Sequence, residues 1–204
     1  MVRLDRLLIA TTNLNKLREI RLILGDVVPG IVGLADVRRV EEPEEHGVTF
    51  EENARAKALY YADATGETAV AEDSGLEIDA LGGAPGVRSA RFGLPEAVTY
   101  PEKFALIYRE LRAKGAISSP ARFVCAVALA RGGQILCETR GMVEGVIAPE
   151  PRGNGGFGYD PILFYPPRGC TLAELPPEDK AAVSHRGEAF RALRRRLLDL
   201  APGQ

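Results

Sequence analysis

The chain of 204 residues has only three cysteines, little net charge and no long apolar run. A net charge of -2 gives no general attraction for a nucleic-acid backbone, so we expect no nucleic-acid partner. No apolar segment approaches the length that spans a bilayer, and the N-terminus has no signal-peptide core, so we expect no membrane association. The three cysteines lack metal-ligand spacing and fit a reducing cytoplasm, and the apolar surroundings of Cys125 and Cys137 predict that these two pack in the core.

Familiar catalytic and nucleotide-binding signatures are missing as well. No Ser-His-Asp triad is evident and no cysteine has an obvious basic partner, which disfavours covalent catalysis. The glycine-rich stretch 153–158 has the spacing of neither a Walker loop nor a dinucleotide fingerprint. The remaining composition, 46% hydrophobic and 26% charged, is that of a globular protein with a substantial core in one domain or two small lobes.

The most unusual polar stretch is Glu72-Asp73-Ser74-Gly75. It follows the apolar run 68–71 and precedes the alternating run 76–81, a pattern that predicts two strands with an acidic turn between them. Carboxylates at a strand end are held by the sheet yet open to a ligand, and Mg²⁺ prefers oxygen donors of this kind. A solvated acidic turn is the ordinary alternative for so short a motif.

A strand, a polar turn and a helix near the N-terminus together form a possible anion site. The strand 7–10 leads into the turn 11–16, and apolar spacing predicts a helix over 16–24. Free N–H groups and the positive end of the helix dipole face such a turn, and Lys16 adds a charge suited to phosphate. Helix capping explains Thr12 and Asn13 equally well.

The dense acidic run 41–45 precedes a second predicted helix, over 50–64. Thr49 and Glu52 form a capping box at its start. Asn53 and Lys57, four residues apart, share one face of this helix. The pattern favours an exposed polar pair over a pair that points into a cleft.

The C-terminal half contains two further segments with ligand chemistry. The loop 153–161 sets Phe157 and Tyr159 among glycines, where their rings can stack on a flat heterocycle, an interaction worth about 1–3 kcal/mol per base. Asp160 either accepts hydrogen bonds from a ligand or turns the chain. Lys180 and the motif 184–187 before the closing helix are candidate donors for phosphate or purine carbonyls. A structural or exposed role is the ordinary alternative for a single histidine near a helix start.

Other elements follow from turn and capping signals. Thr99 and Glu102 form a capping box for a helix with Phe104, Ile107 and Leu111 on its inner face. Runs 121–130 and 134–139 read as two strands joined at a pair of glycines, and 141–148 predicts one more strand.

Six ordered motifs resemble the inosine triphosphate pyrophosphatase family, the Ham1-like enzymes that hydrolyse non-canonical purine nucleoside triphosphates. They are 11–16, 47–54, 72–76, 81–86, 157–161 and 184–187, and the resemblance runs from Leu7 to about Leu198. It implies an α/β fold with a long mixed central sheet flanked by helices. It further implies a single domain over residues 1–204 whose two lobes enclose a nucleotide-binding cleft.

The resemblance also implies an activity and its residues. The reaction is hydrolysis of dITP, ITP or XTP to the monophosphate and pyrophosphate, by a homodimer with Mg²⁺ as cofactor. Asp73 matches the family's proton acceptor and, with Glu44, its metal ligands. The implied substrate-binding residues are Thr11, Thr12, Asn13, Leu14, Asn15, Lys16, Ser74, Phe157, Gly158, Tyr159, Asp160, Lys180, His185 and Arg186.

Three points stay open at the level of sequence. The family's central motif often reads Asp-Asp-Ser-Gly, so Glu72 departs from it and has no assigned role. Glu41, Glu42 and Glu45 are alternatives to Glu44 as the second metal ligand. Two rival functions are a Maf-like pyrophosphatase acting on pyrimidine or modified nucleotides, and a nucleotide sensor without turnover.

A physical hypothesis explains how the site could distinguish hypoxanthine and xanthine from adenine. Hypoxanthine and xanthine carry a 6-carbonyl acceptor, which donors from His185, Arg186 or backbone N–H groups can read. Adenine places an amino donor at that position, so buried donors in the site would be left unpaired, and such a mismatch discriminates strongly.

Overall fold

The computed structural model describes residues 4–95 and 98–200. Within these ranges the strands are β1 (Arg6–Ile9), β2 (Gly30–Gly33), β3 (Ala69–Ile78), β4 (Pro120–Arg131), β5 (Gln134–Ile147), β6 (Leu163–Tyr165) and β7 (Cys170–Thr171). The α-helices are α1 (Leu14–Leu24), α2 (Phe50–Thr65), α3 (Tyr100–Ala113), α4 (Pro177–Val183) and α5 (His185–Leu200). Short 3₁₀ helices span Leu34–Asp36, Asp79–Leu81, Gly86–Arg91, Asp160–Ile162, Pro166–Arg168 and Leu172–Glu174.

The strands of the described residues form one seven-stranded sheet in the order β2-β1-β3-β4-β5-β6-β7. Strand β1 pairs in parallel with both β2 and β3, whereas β6 pairs antiparallel with both β5 and β7. The predicted α/β fold with a mixed central sheet is therefore confirmed. No helix in the described part of the chain combines the length and apolarity needed to cross a membrane.

The chain divides into two compact units, each with its own apolar core. The described residues of the first unit are 4–73, 125–141 and 185–200, and those of the second are 74–95, 98–124 and 142–184. The first core contains Leu7, Ile9, Leu17, Ile20, Leu24, Val28, Val70, Cys125, Val127, Leu129, Ala189, Phe190, Leu193 and Leu197. The second is built on Leu76, Ile78, Phe104, Ile107, Leu111, Ala121, Phe123, Val143, Ile147, Tyr159, Ile162, Leu163, Leu172 and Leu175.

Sequence patterns predicted α1, α2, α3 and α5, each of which buries one face, but not the short helix α4. Leu17, Ile20 and Leu24 are the buried residues of α1. This helix begins at Leu14, two residues earlier than predicted, because the Asn13 side chain accepts hydrogen bonds from the N–H groups of Asn15 and Lys16 and so caps it. The predicted helix 50–64 is α2, whose cap is the Thr49 hydroxyl.

Two strand predictions are wrong in the same way. Residues 68–71 and 76–81 do not flank an acidic turn, because Ala69–Ile78 is one continuous strand that contains Glu72, Asp73 and Ser74. Likewise 141–148 is not a separate strand but the second half of β5. In β3 the two acidic side chains are buried against basic and amide partners, so the strand continues through a stretch whose polarity indicated a turn.

Gly141 of β5 lies against the start of α5 within the first unit. A Cβ at this position would overlap the carbonyl oxygen of His185 and come 2.5 Å from the N–H nitrogen of Ala189. The absence of a side chain therefore lets the strand approach the turn that carries His185.

Replacing Gly141 with alanine should lower the free energy of unfolding by about 1–3 kcal/mol, because the strand and α5 would have to separate. Urea unfolding followed by circular dichroism measures this. Glu144→Ala, at an exposed position of the same strand, is the matched control and should stay within about 0.5 kcal/mol of the parent protein. Equal stability of the two variants would contradict the close approach.

Candidate active site

Strand β3 presents two neighbouring carboxylates to opposite faces of the sheet, since successive side chains of a strand alternate. Asp73 meets two residues of α2, one of which also contacts the acidic loop before that helix. Glu72 meets residues of α1, β4 and α5. All of these residues belong to the first unit. Adjacent acids in the sequence are thus the centres of two separate polar clusters.

The Asp73 cluster is formed by an amide, an ammonium and two carboxylates. The Nδ2 group of Asn53 donates to Oδ2 of Asp73 at 2.9 Å. The Nζ atom of Lys57 lies 3.3 Å from Oδ1 of Asp73 and 2.6 Å from Oε1 of Glu45, and so bridges the two carboxylates. Asn53 and Asp73 are both buried. The interpretation of Asn53 and Lys57 as an exposed polar pair was therefore wrong.

Burial and nearby charges act on the titration of this cluster in opposite directions. Burial raises the pKa of Asp73, and although Lys57 and the Asn53 hydrogen bond lower it, the net shift is upward. For Lys57, burial lowers the pKa, but the carboxylates of Asp73 and Glu45 outweigh burial and raise it. The ammonium of Lys57 therefore stays charged, and Asp73 is a better proton acceptor than an exposed aspartate.

The acidic loop approaches this cluster through Glu45. The side chain of Glu45 is only 19% exposed and contacts Lys57. The side chain of Glu44 is 84% exposed, and its Oε2 atom lies 3.2 Å from Nε2 of His46. Glu41 and Glu42 are exposed as well. Of the four candidate acids, the structure brings Glu45 to the Asp73 cluster, while the assignment of Glu44 as a metal ligand stays a prediction.

The second cluster is centred on the buried carboxylate of Glu72. Its Oε1 atom lies 2.6 Å from Nζ of Lys16 and 3.2 Å from Nη2 of Arg186. The thiol of Cys125 donates to Oε2 at 3.0 Å. Arg186 also pairs with Glu19, at 2.9 Å. Burial alone would raise the pKa of Glu72, but the charges of Arg186 and Lys16 outweigh it and hold that pKa well below its usual range.

The remaining residues of the first predicted motif surround the N-terminus of α1. The Thr11 hydroxyl accepts from the N–H of Asn13, whose own side chain caps the helix. Thr12, Leu14 and Asn15 are exposed. Exposed backbone and a helix N-terminus beside the ammonium of Lys16 form a surface that suits phosphate oxygens.

The second unit contains a polar cluster of its own, around the loop predicted to bind a base. Nζ of Lys180 lies 2.7 Å from Oδ2 of Asp160 and 4.4 Å from the ring centroid of Phe157. The N–H of Phe157 donates to the same oxygen of Asp160 at 2.7 Å. The loop therefore closes on Asp160, and Lys180 lies over the Phe157 ring. Gly158, next in the loop, and Ser74 of β3 are both partly buried.

Tyr159 faces inward from this loop. It is buried, its hydroxyl donates to the carbonyl of Ser89 at 2.8 Å, and its ring meets the Tyr100 ring edge-on at 5.2 Å. The Ser89 hydroxyl in turn accepts from the N–H of Leu76 at 2.9 Å. Phe157, in contrast, is only partly buried. Of the two rings predicted to stack on a ligand, Phe157 is therefore the one with accessible surface.

A family model described as the Ham1 family matches residues 7–196. The chain belongs to the Ham1 family. A relative named dITP/XTP pyrophosphatase from Gloeobacter violaceus is 46% identical over 191 residues, which cover 92% of this chain and 91% of the relative. Another of that name, from a strain of Thermus thermophilus, is 45% identical over 193 residues, which cover 95% of this chain and 92% of the relative.

Solved structures agree with this membership of the Ham1 family. A HAM1 protein from Coxiella burnetii has a TM-score of 0.87 and 39% identity, with coverage of 95% of this chain and 98% of that chain. A nucleoside-triphosphatase / dITP/XTP pyrophosphatase from Mycobacterium abscessus has a TM-score of 0.72 and 40% identity, with coverage of 92% and 98%. The predicted family is confirmed.

Sequence reasoning missed several members of these clusters. The spacing of Asn53 and Lys57 by four residues was a usable signal, because both lie on one face of a helix that follows an acidic loop. Cys125 gave no signal beyond its apolar surroundings, which fit its buried position. Tyr100 gave none, because contact with Tyr159 depends on the fold and not on spacing.

The buried ion pair of Lys180 and Asp160 should dominate the stability of the second unit's loop. Removing one partner leaves the other charge buried, so Lys180→Ala should lower the free energy of unfolding by about 3–5 kcal/mol. Chemical denaturation monitored by tyrosine fluorescence measures this loss of unfolding free energy. Arg168→Ala removes the exposed ion pair with Asp179 and should cost less than about 1 kcal/mol. Similar losses in both variants would contradict a buried pair.

Proposed function

We propose that this chain hydrolyses the non-canonical purine nucleoside triphosphates dITP, ITP and XTP to the monophosphate and pyrophosphate. The observation that carries the proposal is the buried Asp73 cluster, with its amide, ammonium and second carboxylate, in a member of the Ham1 family. Relatives named dITP/XTP pyrophosphatase support the choice of substrate. The Asp73 and Glu72 clusters are the proposed triphosphate-binding groups, and the Phe157–Asp160 loop is the base-binding segment that the family resemblance implies.

A divalent metal fits the Asp73 cluster by its donor chemistry. Among the described residues, no group of three or more His, Cys, Asp or Glu side chains is arranged to hold a metal by itself. Asp73 and Glu45 nevertheless supply two carboxylates, and Mg²⁺ is commonly held by one or two carboxylates together with substrate phosphates and water. We propose that these two residues hold it. Magnesium, when bound, neutralises phosphate charge and orients the triphosphate.

Asp73 is the proposed proton acceptor for the attacking water. The Asn53 amide donates to Oδ2 of Asp73 and so fixes the carboxylate, leaving Oδ1 on the side of Lys57. An upward-shifted pKa suits a group that takes a proton from water, since a more basic carboxylate accepts it more readily. Following the family resemblance, we place the attack of water at the α-phosphorus, so that the bond between the α-phosphorus and the bridging oxygen breaks and pyrophosphate leaves.

Lys16 and the N-terminus of α1 bind the leaving pyrophosphate in this proposal. The positive end of the helix and the ammonium act on charge that develops as the bond breaks, and fixed positive groups of this kind lower the barrier. Thr11, Thr12, Leu14 and Asn15 contribute through the exposed turn around the helix start. Ser74 contacts the substrate next to the proton acceptor.

For base recognition, we propose that the Phe157 ring stacks on the purine, with Lys180 and Asp160 holding the loop in shape. Tyr159 supports the loop from inside, because its hydroxyl is already bonded to Ser89. His185 and backbone N–H groups read the 6-carbonyl. The buried guanidinium of Arg186 contacts Glu72 and Glu19, and its place among the substrate-binding residues rests on the family resemblance.

A homodimer in the cytoplasm completes the proposal. The dimer rests on the family resemblance. The cytoplasmic location is supported by the three cysteines, Cys125, Cys137 and Cys170, which are free thiols as expected in a reducing compartment.

Incubation with ITP, XTP, dITP, GTP, ATP and dTTP, in Mg²⁺ and in EDTA, tests the function. We expect the first three to yield monophosphate and pyrophosphate only with the metal, with ATP and GTP nearly untouched. Asp73→Asn should lower kcat by at least about 100-fold, because it removes the proton acceptor. Orthophosphate as product, preference for dTTP, or tight binding without turnover would each overturn the proposal.

The choice between Glu45 and Glu44 is testable with matched variants of neighbouring residues. Glu45→Gln should raise the Mg²⁺ concentration for half-maximal rate by at least about tenfold, because it removes a carboxylate from the cluster. Glu44→Gln should leave it within about twofold, since that side chain is almost fully exposed. Magnesium titration of the ITP hydrolysis rate measures both. A larger effect at Glu44 would reverse the assignment.

A further inference from the structure

We propose that Glu72 is a positioning residue, which holds the Lys16 ammonium in place for the triphosphate and ties it to Arg186. The inference rests on the proposed function, because it takes Lys16 to bind phosphate. It gives a role to the one acid of the central motif that departs from the common Asp-Asp-Ser-Gly pattern.

The contacts of Glu72 separate it from the chemistry assigned to its neighbour. Its side chain is only 3% exposed, and both oxygens already accept hydrogen bonds. Oε1 accepts from the ammonium of Lys16 and the guanidinium of Arg186, and Oε2 accepts from the thiol of Cys125. Glu72 also points to the face of β3 opposite to Asp73. A carboxylate so enclosed and so occupied is suited to orient other groups, not to accept a proton from water.

The three donors arrive from three different elements. Lys16 comes from α1, Cys125 from β4 and Arg186 from α5, all within the first unit. Arg186 has a second acidic partner, Glu19. Lys16, in contrast, pairs with Glu72 alone among the described residues, with 2.6 Å between its Nζ atom and Oε1 of Glu72. Loss of the Glu72 charge should therefore disturb Lys16 more than Arg186.

Lys16 keeps the capacity to bind a ligand while it is held. An ammonium has three N–H donors, and its contact with Glu72 uses only part of them. Its side chain remains 22% exposed, beside the N-terminus of α1. One face of the ammonium is thus fixed by Glu72, and another is directed to phosphate oxygens. The extra methylene of Glu72, relative to aspartate, lengthens its reach toward all three donors.

A double-mutant cycle on Glu72→Gln and Lys16→Ala tests the proposal. Glutamine keeps the shape and removes the charge, so kcat/KM for ITP should fall by about 100-fold, the cost of a displaced catalytic contact. The double variant should be no more than about threefold worse than Lys16→Ala alone, because Glu72 acts through Lys16. The same cycle, measured by calorimetry as the dissociation constant of inorganic pyrophosphate in EDTA, gives a readout that does not need turnover.

Three further variants keep the result interpretable. Glu72→Asp retains the charge and should recover at least about tenfold of the activity lost in Glu72→Gln. Cys125→Ala removes only the thiol donor and should cost less than Glu72→Gln. Glu77→Gln, on the same strand and paired with Arg122 in the second unit, is the control and should stay within about twofold. Circular dichroism and thermal melting verify that each variant is folded.

The outcomes separate the positioning role from its alternatives. Losses that multiply in the double variant, in rate and in pyrophosphate affinity, would show that Glu72 acts independently of Lys16 and would overturn the proposal. Unchanged activity in Glu72→Gln would overturn it too. If the parent protein fails to hydrolyse ITP yet binds pyrophosphate, the proposed function fails, while the calorimetric cycle still decides the role of Glu72.

Discussion

A buried negative charge on a central strand is the constraint on which the first unit depends. A carboxylate removed from water is costly unless basic or hydrogen-bonding groups surround it. Glu72 meets that requirement with Lys16, Arg186 and the Cys125 thiol. Because these donors come from α1, α5 and β4, satisfying one charge fixes the positions of two helices and a strand. The N-terminal and C-terminal motifs thus meet at Glu72, about a third of the way along the chain.

Because successive side chains of a β-strand point to opposite faces of the sheet, the adjacent acids Glu72 and Asp73 lie in different environments. Asp73 faces the amide of Asn53 and the ammonium of Lys57, whereas Glu72 faces the opposite cluster. Both are buried, yet the pKa of Glu72 is lowered and that of Asp73 is raised. The reason is that Glu72 contacts two basic groups, whereas Asp73 contacts only one among the described residues, Lys57, which it shares with Glu45. One acid is therefore suited to a proton-transfer role and the other to a structural one.

Sequence patterns predicted the helices and the family but not the clusters. Leu17, Ile20 and Leu24 repeat with the helical period, so their burial follows from local spacing. The sequence did not predict that β3 is continuous, because two adjacent acids indicate a turn when their partners, which are remote in sequence, are unknown. The Asn53 partner of Asp73 lies 20 residues away and the Arg186 partner of Glu72 lies 114 residues away. Whether Glu44 or Glu45 turns inward likewise depends on where Lys57 lies, which no spacing rule gives.

The Tyr159 hydroxyl joins the Phe157–Asp160 loop to strand β3 by way of Ser89. It donates to Ser89, and the Ser89 hydroxyl accepts from the backbone of Leu76 in β3. The loop that we propose to bind the base is thereby anchored at a buried residue, whereas Phe157, two positions away, is only partly buried. Under the proposed function, exchange of Phe157 changes the contact with the base at little cost in stability, whereas exchange of Tyr159 removes a buried side chain that anchors the loop. Divergence in base preference among such proteins should accumulate at the tip of the loop and spare its anchor.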